Sequence, residues 1–183
     1  MSKFNDFESI CGKILNGSLS LENCLEFVIS NFFVNYSEYE KKSLFNDLMI
    51  TELNFCKKKE IFKSICNNFL LNKSLLYNIK ELSKTEKLED SKVKKELKEV
   101  FDAIEYVLSI RNAIAHKERY FDGYMIKLQS KKSIKNKKDE IEITPFLIKN
   151  FENKRLFAVN KIHELFNKIE EKEKEIKKKI TEW

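Results

Sequence analysis

The chain has 183 residues, of which 42% are hydrophobic and 35% are charged, so one domain of ordinary size with a buried core is expected. Three glycines and one proline are too few for the many tight turns of a β-sandwich or barrel, which favours a mostly helical fold. The net charge of +6 fits a polyanionic partner such as RNA, but a lysine-rich chain without such a partner has the same balance.

The first part of the chain has apolar residues at every third or fourth position, which predicts four helices. The first is expected to end at Asn16-Gly17, and Ser18 or Ser20 to cap the second. A break is expected between Thr51 and Asn54, before the fourth helix. The predicted ranges are 3–16, 20–36, 38–51 and 55–71.

The pattern is less regular over 72–90, where a short helix and then a loop near 83–90 are expected. A long central helix follows at about 91–118, because its apolar residues again fall on one face. The predicted core stripe of this helix is Val93, Leu97, Val100, Ile104, Val107 and Leu108.

A change of period after Gly123 predicts a small β-hairpin at about 124–144, with strands at 124–128 and 140–144. The turn region between them is rich in lysine and is expected to be exposed. Thr144-Pro145 then predicts the start of the last helix, with threonine as N-cap and proline at the first position. This helix ends in a solvated tail at about 170–183.

Together these elements predict an all-α fold, a helical bundle with one small β-hairpin insertion between the central helix and the C-terminal helix. A single domain covering 1–183 is expected. No segment approaches the roughly 18 apolar residues that cross a bilayer, and no signal peptide is visible, so a reduced, cytoplasmic protein without membrane contact is expected.

The four cysteines contain no CxxC pair, and the chain has two histidines, so no structural zinc site and no metal are expected. Each cysteine falls within a helical pattern, where a free thiol usually acts as a small core residue. The cysteines are Cys11, Cys24, Cys56 and Cys66.

The segment SIRNAIAHKERYF, residues 109–121, has the composition of a chemical site. It contains two of the three arginines and one of the two histidines of a chain that otherwise uses lysine for positive charge. Arg111 and His116 lie within an otherwise apolar helix. Steps of three, four, three and four residues join Asp102, Glu105, Ser109, Asn112 and His116 in one polar stripe, which predicts either a solvent-exposed helix face or a functional site.

The residues Arg111-Asn112-Ala113-Ile114-Ala115-His116 resemble the RNxxxH (Rx4-6H) motif of the HEPN superfamily. In that family the motif lies at the end of a long helix in a small helical bundle. Many members are metal-independent endoribonucleases, which dimerise so that two motifs face a common cleft and serve as toxins or as abortive-infection and antiviral effectors. The resemblance covers 105–121 as specific sequence and most of the chain as architecture.

The resemblance implies that Arg111, Asn112 and His116 are catalytic. Histidine titrates nearest neutral pH and suits the proton transfers of RNA cleavage by the 2′-hydroxyl. Arginine stays charged and can hold phosphate oxygens through paired donors. Asn112 lies one turn before His116 and could orient the imidazole or bond the substrate, and Glu105 could support Arg111 or Asn112. No cofactor is implied.

Three residues that follow the motif are candidates for RNA binding, because they add positive charge and an aromatic ring at the same helix end. They are Lys117, Arg119 and Tyr120. The lysine-rich region at 127–138 could add phosphate contacts, although most such runs are only solvated turns.

One motif histidine per chain leaves the second proton transfer unassigned. A two-fold homodimer would supply a second His116 to a composite site. His163, the other histidine, lies among apolar residues of the last helix and is expected to be structural. Since a free ribonuclease would harm its host, an antitoxin or a regulatory defence protein is expected as a partner.

Two other interpretations stay open. One is a non-catalytic RNA-binding or protein-interaction module of a defence or toxin–antitoxin complex, in which the motif only contacts phosphate. The other is a structural helical subunit of a larger assembly. The sequence contains no Gly-rich phosphate loop, HExxH or GxSxG, which excludes the kinase, P-loop NTPase, zinc protease and α/β-hydrolase classes that depend on those motifs.

Overall fold

A computed structural model of the protein describes residues 2–34, 39–71, 84–122, 125–129 and 141–181. Within these ranges the chain is mostly helical, and one small antiparallel sheet lies between the last two helices, so the predicted fold class is confirmed. The elements in chain order are α1 (Ser2–Phe33), α2 (Tyr39–Phe45), a π-helix (Asn46–Ile50), α3 (Phe55–Leu70), α4 (Lys84–His116), β1 (Glu118–Asp122), β2 (Met125–Gln129), β3 (Ile141–Ile143) and α5 (Pro145–Thr181).

Helix α1 is one continuous helix where the sequence predicted two, so the predicted end at Gly17 is wrong. Gly17 is buried, and a Cβ atom there would lie 3.0 Å from both the Phe151 ring and the Arg155 side chain. The glycine therefore admits a close approach of α5 instead of ending a helix. Ser18, a predicted cap, donates its hydroxyl hydrogen bond to the Ile14 carbonyl within the helix, at 2.6 Å.

The predicted third helix is divided, because α2 continues as a π-helix over its last turn. The Thr51 N–H closes this π-helix by donating to the Asn46 carbonyl, at 3.0 Å. The predicted break before the fourth helix is confirmed. Asn54 caps α3, since its side-chain oxygen accepts a hydrogen bond from the Lys57 N–H at 3.0 Å.

Helix α4 begins at Lys84, so the loop predicted near 83–90 is wrong for residues 84–90. Residues 72–83, for which a short helix was expected, lie outside the described residues. The predicted core face of α4 is confirmed over most of its length, with Val93 half-buried at its start. Its fully or nearly buried members are Leu97, Val100, Ile104, Val107 and Leu108.

The sheet has three strands in the order β1-β2-β3, one more than predicted. Strands β2 and β3 correspond to the predicted hairpin, with Leu128 opposite Ile141. Strand β1 was missed because its first residue had been assigned to the end of the central helix; it pairs with β2 from Glu118–Gln129 to Asp122–Met125. The lysine-rich turn at 130–140 lies outside the described residues.

Helix α5 begins as the sequence predicts. Pro145 is its first residue, and the Thr144 hydroxyl oxygen accepts a hydrogen bond from the Leu147 N–H at 3.1 Å. In the charged tail, Lys177 and Glu173 form an i,i+4 ion pair at 2.7 Å. The Phe146 side chain, in the first turn of this helix, is 78% exposed.

The chain forms two compact units, one comprising residues 1–21 and 103–157 and the other 22–102 and 158–183. Helices α1, α4 and α5 each contribute residues to both units. The expectation of a single domain over 1–183 stays a prediction. None of the helices in the described ranges is both long enough and apolar enough to cross a membrane.

Candidate active site at the end of helix α4

The last two turns of α4 are anchored through their apolar side. Ala113 is 3% exposed and belongs to a cluster with Phe7 of α1 and Leu128 of β2. Ile114 packs against the same cluster, together with isoleucines of the sheet. Because the side of α4 that carries Ala113 and Ile114 packs in the core, the residues on the opposite side of the helix face solvent.

Three polar residues occupy that outer side. His116 is the last residue of α4 and is exposed, as is Asn112, while Arg111 is half-buried. The Arg111 guanidinium donates a hydrogen bond from Nη1 to Oδ1 of Asn112, at 3.0 Å. A guanidinium has five N–H donors, so this single bond orients the group and leaves it able to bind an anion bidentately. Asn112 therefore positions Arg111 in the described structure.

The polar stripe predicted on α4 is confirmed. Glu105, Ser109, Asn112 and His116 are all exposed, and the intervening Ile110 is buried. Ser109 donates its hydroxyl hydrogen bond to the Tyr106 carbonyl of its own helix, at 2.8 Å. Glu105 lies two turns from Asn112 along this stripe, so its supporting role stays a prediction.

The three residues predicted to bind RNA lie at the helix end and in the following strand. Lys117 is half-buried, and its N–H donates to the Ala113 carbonyl at 3.0 Å, which extends the hydrogen bonding of α4 by one residue. Arg119 and Tyr120 lie in β1, opposite Leu128 and Lys127 of β2. Strand β1 thus begins two residues after His116, and its backbone is fixed by pairing instead of continuing the helix.

His163 lies in one compact unit, and the motif residues Arg111 and His116 lie in the other. Its ring is exposed, and its Nε2 lies 3.5 Å from the Cys24 Sγ and its centroid 6.2 Å from that of Phe27. Burial raises the pKa of the Cys24 thiol to about 11, so the sulfur stays protonated at neutral pH. This pair therefore lacks the thiolate that a Cys–His nucleophile needs.

The four cysteines differ in how far they are buried. Cys24 and Cys66 are core residues, as predicted, and burial raises the pKa of Cys66 to about 12. Cys56 is exposed and departs from that prediction, because its position on α3 lies one residue past the buried Phe55. The described residues contain no group of three or more His, Cys, Asp and Glu side chains that could hold a metal ion.

The sequence analysis missed a buried ionic cluster on α3. Lys58 is 2% exposed, and its Nζ donates to Oε1 of Glu22 at 2.7 Å and of Glu26 at 2.5 Å. Burial disfavours the charged lysine, but the two carboxylates outweigh this and raise the pKa of Lys58 above its usual value. A signal was present, since Lys58 lies three residues after Phe55 and four before Phe62 on the buried face.

Comparison with known proteins adds no assignment, because neither a family model, a curated protein nor a solved structure matches this chain.

Proposed function

We propose that this protein is a metal-independent endoribonuclease of the HEPN type, which cleaves RNA by 2′-hydroxyl attack and acts as a toxin or an antiphage (abortive-infection) effector in the cytoplasm. The arrangement of side chains at the end of α4 supports this proposal. There the motif residues Arg111, Asn112 and His116 share the outer side of a helix whose inner side is fixed in the core, and Asn112 already holds the guanidinium.

The chemistry requires two proton transfers and one anion site. The 2′-oxygen forms a bond to phosphorus and loses its proton, the bond from phosphorus to the 5′-oxygen breaks, and the 5′-oxygen gains a proton. The products are a 2′,3′-cyclic phosphate and a 5′-hydroxyl. An imidazole suits either transfer, and Arg111 suits the charge that develops on the phosphoryl oxygens.

A single His116 can carry out only one of the two proton transfers at a time, so a second group must carry out the other. His163 lies in the compact unit that does not contain the motif, and its Nε2 is within hydrogen-bond distance of the Cys24 Sγ, at 3.5 Å. We therefore expect a homodimer in which the second His116 and Arg111 come from the partner copy across a two-fold axis. Lys117, Arg119 and Tyr120 would extend the RNA contact, and an antitoxin or regulatory defence protein would restrain the activity.

The test compares His116→Ala with wild type on mixed tRNA and mRNA, with and without EDTA. Wild type should cut RNA equally well in both conditions and leave cyclic phosphate ends. His116→Ala should cut about 10²–10⁴-fold more slowly, which is the usual contribution of a general acid or base. His163→Ala is the matched control, because it removes the other histidine, and it should retain the wild-type rate.

The variants also separate the alternatives. If wild type binds RNA without cutting it, and Arg111→Ala weakens binding more than His116→Ala does, the chain is a binding module. If neither variant changes RNA cleavage or binding but both change assembly with a partner, the motif belongs to a structural subunit. Equal cleavage by wild type and His116→Ala would mean that the site is misassigned.

A further inference from the structure

One side of the first part of α5 carries an exposed aromatic ring among polar side chains. Phe146 is 78% exposed, the largest exposed fraction of any large apolar side chain in the described part of the chain. Three polar residues follow it at steps that place all four on one side of the helix, namely Lys149, Asn150 and Asn153. Lys149 and Asn153 are exposed and Asn150 is half-buried. We call these four residues the Phe146 face.

The backbone that carries the Phe146 ring is fixed at the start of α5. The Thr144 hydroxyl oxygen accepts a hydrogen bond from the Leu147 N–H, and the Thr144 carbonyl accepts one from the Ile148 N–H, both at 3.1 Å. Leu147 and Ile148 are half-buried on the other side of the helix. An aromatic ring on a fixed backbone offers a large contact area and loses little conformational entropy when a ligand binds to it.

The Phe146 face lies beside α4 within one compact unit, which contains residues 103–157. Asn150 donates a hydrogen bond from Nδ2 to the Tyr106 hydroxyl, at 3.1 Å. Ile143, just before α5, packs against the cluster that contains Ala113. Because the later position of this segment meets the earlier position of α4, the two run antiparallel here. Phe146 therefore lies between these two contacts, beside the last turns of α4.

The polar stripe of α4 continues from this contact to the motif. Ser109 follows Tyr106 by three residues, about 60° around the helix, and His116 follows Ser109 by seven, on the same side. Counted from the hydrogen bond between the two helices, Phe146 lies four residues along α5 and His116 lies ten residues along α4 in the same direction. The two positions are therefore offset by about 9 Å along the helices. Since packed helix axes are about 8–10 Å apart, one strand of nucleic acid can contact both.

We propose that the Phe146 face binds an unpaired nucleobase of the RNA substrate, which stacks on the Phe146 ring beside the cleaved linkage. The inference rests on the proposed function, because it concerns how that site holds its substrate. Proteins hold single-stranded RNA by stacking its bases on aromatic rings and by hydrogen bonds to the base edges. The carboxamides of Asn150 and Asn153 offer donors and acceptors to a base edge, and Lys149 offers a cation to a phosphate.

The surroundings of the ring favour a nucleobase over an apolar protein partner. The centre of a protein–protein interface is depleted in lysine and other charged residues. The neighbours of Phe146 on its own side of the helix are a lysine and two carboxamides instead. Within the described residues, neither Lys149 nor Asn153 has a side-chain partner that would occupy it.

The test uses short single-stranded 2′-O-methyl oligonucleotides of mixed sequence, each with 2-aminopurine at its centre. The methyl group removes the attacking hydroxyl, so the strand stays intact and binding is measured apart from cleavage. Stacking on an aromatic ring quenches the fluorescence of 2-aminopurine. Wild type should bind and quench the probe, and Phe146→Ala should bind it about 10-fold to 100-fold more weakly. Phe146→Tyr keeps a ring and should stay close to wild type.

Two further variants separate stacking from charge and from a general loss of apolar surface. Lys149→Ala should lower the slope of log affinity against log salt concentration by about one and leave the quenching of the bound probe unchanged. Phe33→Ala is the matched control, because Phe33 is 57% exposed and belongs to the other compact unit, and it should bind like wild type. Circular dichroism confirms that each variant is folded.

The outcomes separate this inference from the proposed function. If wild type binds no probe, or if Phe146→Ala binds and quenches it like wild type, the inference is overturned, whether or not the protein cuts RNA. Quenching that depends on Phe146 in a protein that cuts no RNA would support the base site and contradict the nuclease. Without nucleic acid, wild type and Phe146→Ala should have the same mass in sedimentation equilibrium. A lower mass for the variant would assign the ring to a contact between copies and overturn the inference.

Discussion

Two groups of polar residues, one around Lys58 and one around Arg111, differ in how deeply they are buried and in how their charges are paired. The Lys58 side chain is 3% exposed, and two glutamate side chains that are 18% and 26% exposed bind its ammonium at hydrogen-bond distance. At the end of α4, Arg111 is half-buried, Asn112 and His116 are exposed, and the guanidinium binds only a neutral neighbour, Asn112, among the contacts in the described part of the chain. The ammonium of the first group is paired with two carboxylates of the chain, while the guanidinium of the second group has no carboxylate partner among the described residues.

This difference separates a structural role from a binding role. A buried charge must be paired, because an unpaired one costs several kcal/mol, so the Lys58 cluster depends on all three members. A half-buried arginine that is oriented by a neutral amide keeps its positive charge for an anionic ligand. The structure therefore gives the cluster at Lys58 a part in stabilising the fold, and it leaves the Arg111 guanidinium with donors beyond the one that Asn112 accepts.

The largest stability effect is expected for Lys58→Ala. Removing the ammonium leaves Glu22 and Glu26 unpaired beside a buried cavity, and the free energy of unfolding should fall by about 3 kcal/mol. Urea denaturation measures this. Lys57→Ala, on the same helix but exposed, is the control and should stay within about 0.5 kcal/mol of wild type.

A second variant tests whether the loss comes from the unpaired carboxylates. The triple variant Glu22→Gln, Glu26→Gln, Lys58→Met removes all three charges and should be more stable than Lys58→Ala. If Lys58→Ala unfolds like wild type, the cluster is not structural and the comparison with Arg111 fails.

The buried thiols should make the protein less stable in alkali. An unfolded thiol loses its proton near its ordinary pKa of 9.0, whereas burial raises the pKa of Cys24 to about 11 and of Cys66 to about 12. Between these pH values the unfolded state binds fewer protons, so the free energy of unfolding falls as pH rises, by up to about 1.4 kcal/mol per pH unit for each thiol.

Denaturation between pH 9 and 11 measures this slope. Cys66→Ala lacks one buried thiol, so its stability should fall less steeply with pH, whatever its stability at neutral pH. Cys56→Ala is the matched control, because Cys56 is exposed, and its slope should equal that of wild type. A slope unchanged in Cys66→Ala would contradict the role of burial.

The smallest stability effect is expected at the candidate site. Arg111→Ala and His116→Ala should each unfold within about 0.5 kcal/mol of wild type, because their side chains face outward and alanine favours a helix. The same urea denaturation measures both. A loss comparable to that of Lys58→Ala would show that Arg111 or His116 holds the fold together, which would favour the structural-subunit interpretation.

Much of the helical pattern could be predicted because the apolar spacing acts locally. Leu97, Val100 and Ile104 lie on the buried face of α4 as predicted, and the Thr144-Pro145 start of α5 depends only on a cap and on a fixed proline angle. The position of Asn112 and His116 on the exposed side of α4 follows from the same period, and Arg111 lies beside Asn112.

Other features depended on contacts between distant segments. The sequence predicts a helix end at Gly17, but only the approach of Phe151 and Arg155 shows why the chain needs a residue without a side chain there. Leu44 and Leu48 belong to the apolar pattern that predicts the third helix, yet both are exposed, while Lys42 and Asn46 of the same segment contact α1. Strand β1 was missed because a short strand is stabilised by its neighbour β2.

Spacing within one segment is enough to predict most of the helical residues and the side of α4 that carries the polar stripe. Three features need the folded structure: the buried, paired Lys58, the continuity of α1 through Gly17, and the hydrogen bond from Arg111 to Asn112. Burial and pairing depend on what a segment packs against. For Lys58 and Gly17 the packing partners are distant in the sequence. For Arg111 the partner is the neighbouring Asn112, and the contact depends on the rotamer of the arginine side chain.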